Sequence, residues 1–281
     1  MPNVLISQDI SCYGQVSMTS ALPLLYASQL SPTILPSALL STHTGGYGEN
    51  TYLDLASEMS KIMDHWQKLN LQFDYVYLGY LGLKPVQVLD AKLKHLTSKN
   101  ALILLDPVMG DHQKLYRGFD DQYVIAMRQL VKQASIITPN YTEAKLLLGE
   151  TLDPTTSSVT IEAAQQVLDR LCDRFGLTSA LITGLDLADN QVGIVGKSQT
   201  ESFELISPKL TGNFFGTGDI FATALLAGLA HHHSLRVAAT MAADLITSAI
   251  AHRSDNLDWR LGLNYAPVLT KFITELDSKT N

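Results

Sequence analysis

The chain of 281 residues has only two cysteines, Cys12 and Cys172, and no excess of positive charge. Two thiols are too few for a disulfide framework or a cysteine-based zinc site, and they are typical of a reducing compartment. The formal net charge of −7 argues against a broad basic surface. We therefore expect no sequence-independent binding of nucleic acid and no attachment to anionic membranes, and an anionic ligand would have to be bound by local groups.

The sequence also lacks a membrane-spanning run and an N-terminal targeting signal. Its most apolar windows, 222–230 and 101–105, are far shorter than a bilayer requires. The first nine residues contain no basic region followed by an apolar stretch, so a secretory signal is not expected. These absences predict a soluble, cytoplasmic protein.

Two common nucleotide-binding motifs are missing too. Gly45-Gly46-Tyr47-Gly48 lacks the spacing of a dinucleotide fingerprint, and the pattern Gly-x-x-x-x-Gly-Lys-Ser/Thr does not occur. If the chain binds a nucleotide, another element must hold its phosphates.

Short β-type runs alternate with longer helical patterns, which predicts an α/β/α fold around a mostly parallel sheet. The predicted strands are 4–7, 33–40, 75–78, 102–105, 135–137 and 180–183. The predicted helices are 16–29, 52–68, 85–97, 122–133, 142–148, 161–175, 218–230, 235–251 and 266–275. The runs 192–195 and 202–206 predict an antiparallel hairpin at the sheet edge. Since no linker, repeat or low-complexity stretch divides the chain, residues 1–281 are expected to form a single domain.

The most informative segment is Gly212-Asn213-Phe214-Phe215-Gly216-Thr217-Gly218-Asp219, which precedes an apolar helical run. Its glycines allow backbone N–H groups to turn toward one point, and the dipole of the following helix attracts an anion there. Asp219 would repel a phosphate unless it takes a proton from an alcohol that attacks the phosphate. Helix capping also favours Asp in a first turn, so the segment alone leaves both interpretations open.

Polar side chains follow several predicted strands. Because ligands of a parallel sheet bind beyond the carboxyl ends of its strands, we expect these groups to meet at one edge. Asp111 and Glu143 could hold Mg²⁺ there, since this ion prefers oxygen ligands, although ordinary turn and capping chemistry is the alternative for each. The residues that follow strands include Asp106, Asp111, Thr138, Asn140, Glu143, Thr183 and the segment 41–48.

Three motifs carry a family resemblance: Asp106-Pro-Val-Met-Gly-Asp111, Thr138-Pro-Asn-Tyr-Thr-Glu143 and Gly216-Thr-Gly-Asp219. In this order and spacing they resemble the ribokinase-like superfamily. The opening Ile6-Ser-Gln-Asp-Ile-Ser-Cys-Tyr-Gly14 and the stretch Leu40-Ser-Thr-His-Thr-Gly-Gly-Tyr47 resemble its pyridoxal and pyridoxamine kinase branch, close to the hydroxymethylpyrimidine kinases. The N-terminal motif departs from the Gln-Ser-His form of many pyridoxal kinases, which leaves its ring contacts open.

The resemblance implies a three-layer α/β/α kinase that uses ATP and Mg²⁺ to phosphorylate the 5'-hydroxymethyl group of a vitamin B6 vitamer. Two alternatives stay open. One is phosphorylation of hydroxymethylpyrimidine or its phosphate by the same mechanism, and the other is non-catalytic binding of a nucleotide or vitamer. The resemblance also implies a homodimer and leaves open whether a monovalent cation such as K⁺ activates.

The resemblance further implies roles for individual residues. Asp219 would be the catalytic base, and Gly216, Thr217 and Gly218 would form the anion hole for the transferring phosphoryl group. The loop 41–50, which contains His43, would be a mobile cover, and a plain loop role is the alternative for this histidine. The implied nucleotide contacts are Asp106, Asn140, Glu143, Thr183 and Thr217, the implied metal contacts are Asp111 and Glu143, and the implied vitamer contacts are Ser7, Asp9, His43, Thr44, Tyr80 and Asp219.

Overall fold

The computed structural model describes residues 2–155, 158–212, 214–253 and 258–278, so Asn213 of the glycine-containing segment lies outside the described residues. The strands are β1 Asn3–Ser7, β2 Ile10–Ser11, β3 Ser31–Ile34, β4 Ala38–Leu40, β5 Tyr52–Asp54, β6 Phe73–Leu78, β7 Thr97–Leu105, β8 Gly110–Asp111, β9 Lys114–Leu115, β10 Ile136–Ile137, β11 Ser179–Leu187, β12 Gln191–Lys197 and β13 Ser202–Pro208. The helices are α1 Met18–Ala27, α2 Ala56–Lys68, α3 Leu83–Lys92, α4 Asp121–Val131, α5 Tyr141–Leu148, α6 Ile161–Phe175, α7 Thr217–Ala230, α8 Leu235–Ala251 and α9 Leu269–Asp277.

Eight strands form the central sheet in the order β13-β12-β11-β10-β7-β6-β1-β3. The strands from β11 to β3 all run parallel, whereas β12 and β13 pair as an antiparallel hairpin beside β11. The predicted parallel sheet with an antiparallel edge is therefore confirmed. The carboxyl ends of its parallel strands all lie at one edge of the sheet.

Helices cover both faces of this sheet. Buried apolar side chains of α2 to α6 pack on one face, and those of α1, α7, α8 and α9 pack on the other. Helix α7 is almost entirely buried, and it approaches α8 closely at Gly228, where a Cβ atom would lie 2.7 Å from the Cβ of Ala238. The three-layer α/β/α arrangement is as predicted.

The predicted strand 33–40 is wrong as one element. Its first part belongs to β3 in the central sheet, and its last part is β4, which pairs with β2 and β5 in a separate three-stranded sheet. Pro36 lies between the two parts, and it cannot donate the ladder hydrogen bond that a continuous strand would need there.

Two predicted helix ends are also wrong. Residues 52–54 form β5, and α2 begins at Ala56, whose N–H donates to the Asp54 side chain at 2.8 Å. Thr97 opens β7 rather than closing α3, because pairing with β6 at Phe73 overrides the local helical pattern.

In the described ranges no helix is long and apolar enough to cross a bilayer. That residues 1–281 form one domain stays a prediction.

Candidate active site

Several of the predicted site residues lie at or after the carboxyl ends of β1, β6, β7 and β10, which are at the same edge of the sheet. Thr183 lies in an irregular part of β11 and forms a parallel bridge with Asn140, and its N–H donates to the Pro139 carbonyl at 3.0 Å. The ends of β10 and β11 are therefore joined beyond the regular sheet, where the sequence predicted a ligand crevice.

Helix α7 begins at this edge. Its N-cap residue, Gly216, has a φ of 78°, a left-handed conformation that favours glycine. A Cβ atom on Gly216 would also lie 3.0 Å from the Gln15 carbonyl oxygen, and one on Gly218 would lie 3.5 Å from Asp106 Oδ2. The first N–H groups of a helix have no partner within the helix, so Thr217 and Gly218 present donors beside the Asp106 carboxylate.

Asp219 lies in the first turn of α7 and is partly buried. Its Oδ2 accepts a hydrogen bond from the Ser17 N–H at 2.8 Å. Burial raises the pKa of the Asp219 carboxyl to about 7, the hydrogen bond from Ser17 opposes the rise, and the charge of Asp9 adds to it. A carboxylate that titrates near neutral pH is suited to accept a proton from an alcohol.

Asp9 lies on the other side of Ser17. Its carboxylate is buried and accepts a hydrogen bond from the Ser11 hydroxyl at 2.9 Å, and its carbonyl accepts one from the Met18 N–H at 3.2 Å. Burial raises the pKa of Asp9, while the hydroxyls of Ser17 and Ser11 lower it. Ser17 has a φ of 48°, a backbone conformation that is strained for a residue with a side chain. Its N–H contacts Asp219 and its hydroxyl contacts Asp9, so Ser17 brings these two carboxylates together.

Glu143 and Asn140 support the segment that carries Asp106 and Asp111. The Glu143 carboxylate is buried and accepts hydrogen bonds from the N–H groups of Met109 and Asn140, each at 2.9 Å. The Asn140 amide donates to the Gly110 carbonyl at 2.8 Å and accepts from the Glu143 N–H at 2.9 Å, which completes a capping box for α5. Burial raises the pKa of Glu143 to about 8 in spite of these hydrogen bonds.

Asp106 and Asp111 differ in exposure. Asp106 is buried, and its pKa is raised well above the usual range by burial first and then by the charges of Glu143 and Asp219. The Asp111 side chain is 46% exposed and accepts a hydrogen bond from the His112 N–H at 2.7 Å. It lies near enough to Glu143 for its charge to raise the pKa of that residue.

The donor chemistry of this cluster fits a magnesium ion. Asp106, Glu143 and Asp219 form no ion pair with a Lys or Arg in the described part of the chain, so no protein cation stabilises their ionised forms, and a bound cation would do so. Within the same residues, no three His, Cys, Asp or Glu side chains are already gathered as a ligand set. Because Mg²⁺ keeps several waters, a few carboxylates and substrate phosphates suffice for it.

The predicted vitamer residues are distributed between the interior and the surface. Ser7 is fully buried, and its hydroxyl has no hydrogen-bond partner. Tyr80 is partly buried close to Asp9 and Tyr52, and its burial raises its pKa. Thr44 is exposed and lies outside this group in the present arrangement.

The loop 41–50 packs against two other segments near the start of α7. His43 Nε2 lies 2.6 Å from the Arg260 carbonyl oxygen, and its ring lies 4.5 Å from that of Phe215. Trp259 stacks on Phe215 at 5.4 Å, and the Arg260 guanidinium lies 5.0 Å from the centre of the Tyr47 ring. We call these five residues the aromatic cover.

Comparison with known proteins identifies the family of the chain. The profile of the family described as phosphomethylpyrimidine kinase matches residues 68–265. The chain belongs to this family. The pyridoxal kinase of Bos taurus is 31% identical over 225 residues, which cover 72% of this chain and 69% of that protein.

Two solved structures share the whole fold. The pyridoxal kinase of Lactobacillus plantarum is 32% identical, with a TM-score of 0.86 over 98% of this chain and 97% of that one. A Bacteroides thetaiotaomicron protein, provisionally assigned as a phosphomethylpyrimidine kinase and crystallised with pyridoxal, is 32% identical, with a TM-score of 0.89 over 100% of this chain and 97% of that one. The predicted resemblance is confirmed, and the chain is a phosphotransferase.

Several residues of the site were not predicted from the sequence. No site role was predicted for Ser17 or for Phe215, Trp259 and Arg260 of the aromatic cover, because their contacts join distant parts of the chain. Tyr116 was missed as well, although its phenol lies close enough to Glu143, Asp111, Asp106 and Asp219 for those charges to raise its pKa further than burial alone.

Proposed function

We propose that the chain transfers the γ-phosphoryl group of ATP to the 5'-hydroxymethyl group of a vitamin B6 vitamer. The observation that carries the proposal is the Asp219 carboxylate in the first turn of α7, where burial raises its pKa to about 7 and where its charge interacts with those of Asp9 and Asp106. The pyridoxal kinases among its relatives, and the pyridoxal in the Bacteroides thetaiotaomicron structure, support a B6 vitamer as the substrate.

In the proposed reaction, Asp219 accepts the proton of the hydroxymethyl group while that oxygen attacks the γ-phosphorus. The new oxygen–phosphorus bond forms in line with the bond to the ADP oxygen, which breaks, and the proton later passes from Asp219 to solvent. The N–H groups at Gly216, Thr217 and Gly218 stabilise the charge on the phosphoryl oxygens. Asn140 and Thr183 are proposed to bind the nucleotide phosphates, and Ser7, Asp9, His43, Thr44 and Tyr80 the vitamer.

Asp106, Asp111 and Glu143 would hold Mg²⁺, directly or through its waters. When bound, the ion neutralises charge on the phosphates and helps to orient them. Glu143 also accepts hydrogen bonds from two backbone N–H groups. Its carboxylate would therefore both bind the metal and stabilise the fold of the 106–111 segment. A titration of the rate with KCl tests whether K⁺ activates the reaction.

A coupled assay of ADP release tests the proposed function. It is run with pyridoxal, pyridoxamine, pyridoxine and hydroxymethylpyrimidine at matched concentrations. We expect the highest kcat/KM with one of the three B6 vitamers. A higher value with hydroxymethylpyrimidine would favour the pyrimidine activity that the family name describes. No ADP release with any of the four would favour a binding protein without catalysis.

The rate should depend on pH through Asp219. The base acts only when ionised, and burial raises its pKa to about 7, so kcat should fall as the pH is lowered through about 7 and approach a tenfold loss per unit below that. Steady-state rates between pH 5.5 and 9 with saturating vitamer and ATP, each sample checked for folding, give the profile. A flat profile across this range would exclude Asp219 as the group that accepts the proton.

The loop 41–50 is proposed to close over the vitamer. It contains three glycines and connects β4 to β5 of the small sheet, and it contacts the rest of the aromatic cover, Tyr13 and Arg117. We expect vitamer to slow hydrogen exchange of residues 41–50, and Thr44→Ala to raise the KM for vitamer more than the KM for ATP. Equal exchange with and without vitamer would leave the segment as an ordinary surface loop.

We also propose that the protein is a cytoplasmic homodimer that binds neither nucleic acid nor membranes. An apolar row crosses the small sheet, where Ile10, Leu39 and Leu53 are register neighbours on β2, β4 and β5. Leu39 and Leu53 are 39% and 56% exposed, so this row presents neighbouring apolar side chains at the surface. Sedimentation velocity tests the dimer, and a monomer at micromolar concentration would contradict it.

A further inference from the structure

Gln8 follows β1 directly and lies between two of the predicted vitamer residues, Ser7 and Asp9. Its side chain is fully buried, yet neither its Oε1 nor its Nε2 has a hydrogen-bond partner. A buried amide without partners is unfavourable, and most buried polar groups in proteins are paired. The hydroxyl of the preceding residue, Ser7, is also buried without a hydrogen-bond partner.

Gly79 makes the space for this amide. A Cβ atom on Gly79 would lie 2.2 Å from Gln8 Oε1 and 3.2 Å from Gln8 Cβ, so any side chain at position 79 would displace the amide. The backbone of Gly79 is not left-handed, so the fold does not need glycine there for its conformation. Its N–H donates to the Ser7 carbonyl at 3.0 Å, which holds the residue that follows β6 against the end of β1.

The position of Gln8 separates it from the proposed nucleotide groups. The nucleotide groups of the sheet lie after β7 and β10 and within β11, whereas Gln8 and Gly79 follow the next two strands of the sheet, β1 and β6. The Gln8 carbonyl accepts a hydrogen bond from the Ser37 N–H, and the Ser37 hydroxyl donates to the Tyr80 carbonyl at 3.0 Å. Gln8 is thereby joined to the vitamer side of the proposed site.

We propose that Gln8 is a specificity-determining residue whose carboxamide pairs with the polar edge of the heteroaromatic ring of the substrate. This inference rests on the proposed function. A carboxamide presents a donor and an acceptor side by side, so it can bind a ring nitrogen or oxygen together with a neighbouring polar substituent. A ring without such groups would leave the amide unpaired in the complex, so that ring would bind more weakly.

The test compares Gln8→Leu with Gln165→Leu. Gln165 on α6 also has a buried amide nitrogen without a partner, and α6 carries none of the proposed vitamer or nucleotide residues, so this variant controls for the loss of an unpaired amide. Gln8→Leu should weaken pyridoxal binding by about tenfold or more, measured by equilibrium dialysis, and leave the KM for ATP within about twofold. Gln165→Leu should leave both unchanged.

Two further variants keep the test decisive. Gln8→Met keeps the length of the side chain without its hydrogen-bonding groups, and it replaces Gln8→Leu if that variant does not fold. Gly79→Ala displaces the amide without altering Gln8, and it should weaken pyridoxal binding as Gln8→Leu does. Agreement between the two sites would exclude an effect of side-chain volume at position 8 alone.

Unchanged pyridoxal binding in a folded Gln8 variant would overturn the inference, and so would an equal loss of pyridoxal and ATP binding. Dialysis does not depend on turnover, so the inference and the proposed function can fail separately. A wild-type chain that binds pyridoxal without releasing ADP contradicts only the proposed function. If hydroxymethylpyrimidine binds and pyridoxal does not, the comparison is made with that ring. Binding of neither ring overturns both proposals.

Discussion

Replacement of Asp219 by Asn is expected to lower kcat by roughly two to four orders of magnitude, the range for loss of a general base. The carbonyl oxygen of Asn can still accept the Ser17 N–H that Asp219 accepts at 2.8 Å, so the geometry of the first turn of α7 should survive. What is lost is the group that receives the hydroxymethyl proton. The measurement is steady-state turnover with saturating vitamer and ATP, together with ATP binding, which should change little.

The stability of this variant provides the control. The folded protein raises the pKa of Asp219 from 3.8 to about 7, so the folded state binds the proton more tightly than the unfolded state. The stabilising effect of that proton is complete below pH 3.8 and is lost as the pH rises toward 7. At pH 8 the charged carboxylate therefore disfavours folding, and Asp219→Asn should melt at the wild-type temperature or above. Turnover within a few fold of wild type would reject Asp219 as the base.

Replacement of Glu143 by Gln is expected to have the second large effect. The carboxylate accepts the N–H groups of Met109 and Asn140 through its two oxygens, and Gln must turn its NH₂ toward one of these donors. Leaving such a buried group unpaired costs about 1–3 kcal/mol of stability. The variant also loses an anionic link to Mg²⁺ or its waters, so the Mg²⁺ concentration for half-maximal rate should rise by about tenfold or more.

Asp111→Asn separates these two effects. The Asp111 carboxylate is half exposed, and its contacts in the structure are with its neighbour His112. Its replacement should raise the Mg²⁺ requirement without lowering the melting temperature, whereas Glu143→Gln should do both. If neither variant shifts the Mg²⁺ titration, these carboxylates do not hold the metal, and Glu143 supports only the 106–111 segment.

The sequence predicted those parts of the site that depend on local pattern. The carboxyl ends of β7 and β10 were recognisable because an apolar run ends in a polar turn, and the start of α7 because glycines precede a long apolar helix. The topology of a parallel sheet then brings these ends together without further information. Fold class and kinase family followed from the same segments and are confirmed.

Other parts could not be predicted because they depend on contacts between distant segments. Ser17 meets Asp219 across 202 positions of sequence, and His43 meets Arg260 across 217. The unpaired state of the Gln8 amide becomes visible only when Gly79 lies against it. The prediction of 33–40 as one strand was wrong for a different reason. Pro36 is a local signal for a break, but it lies within a long apolar run that resembles a single strand.

The most direct measurement of the central claim follows the phosphate itself. ATP labelled in its γ-phosphate is incubated with the protein, Mg²⁺ and pyridoxal, and the products are separated by chromatography. We expect the label on the 5'-oxygen of pyridoxal in wild type and almost none there with Asp219→Asn. Label released as inorganic phosphate, or left entirely in ATP when pyridoxal, pyridoxamine or pyridoxine is supplied, would contradict the assignment of the chain as a vitamin B6 kinase.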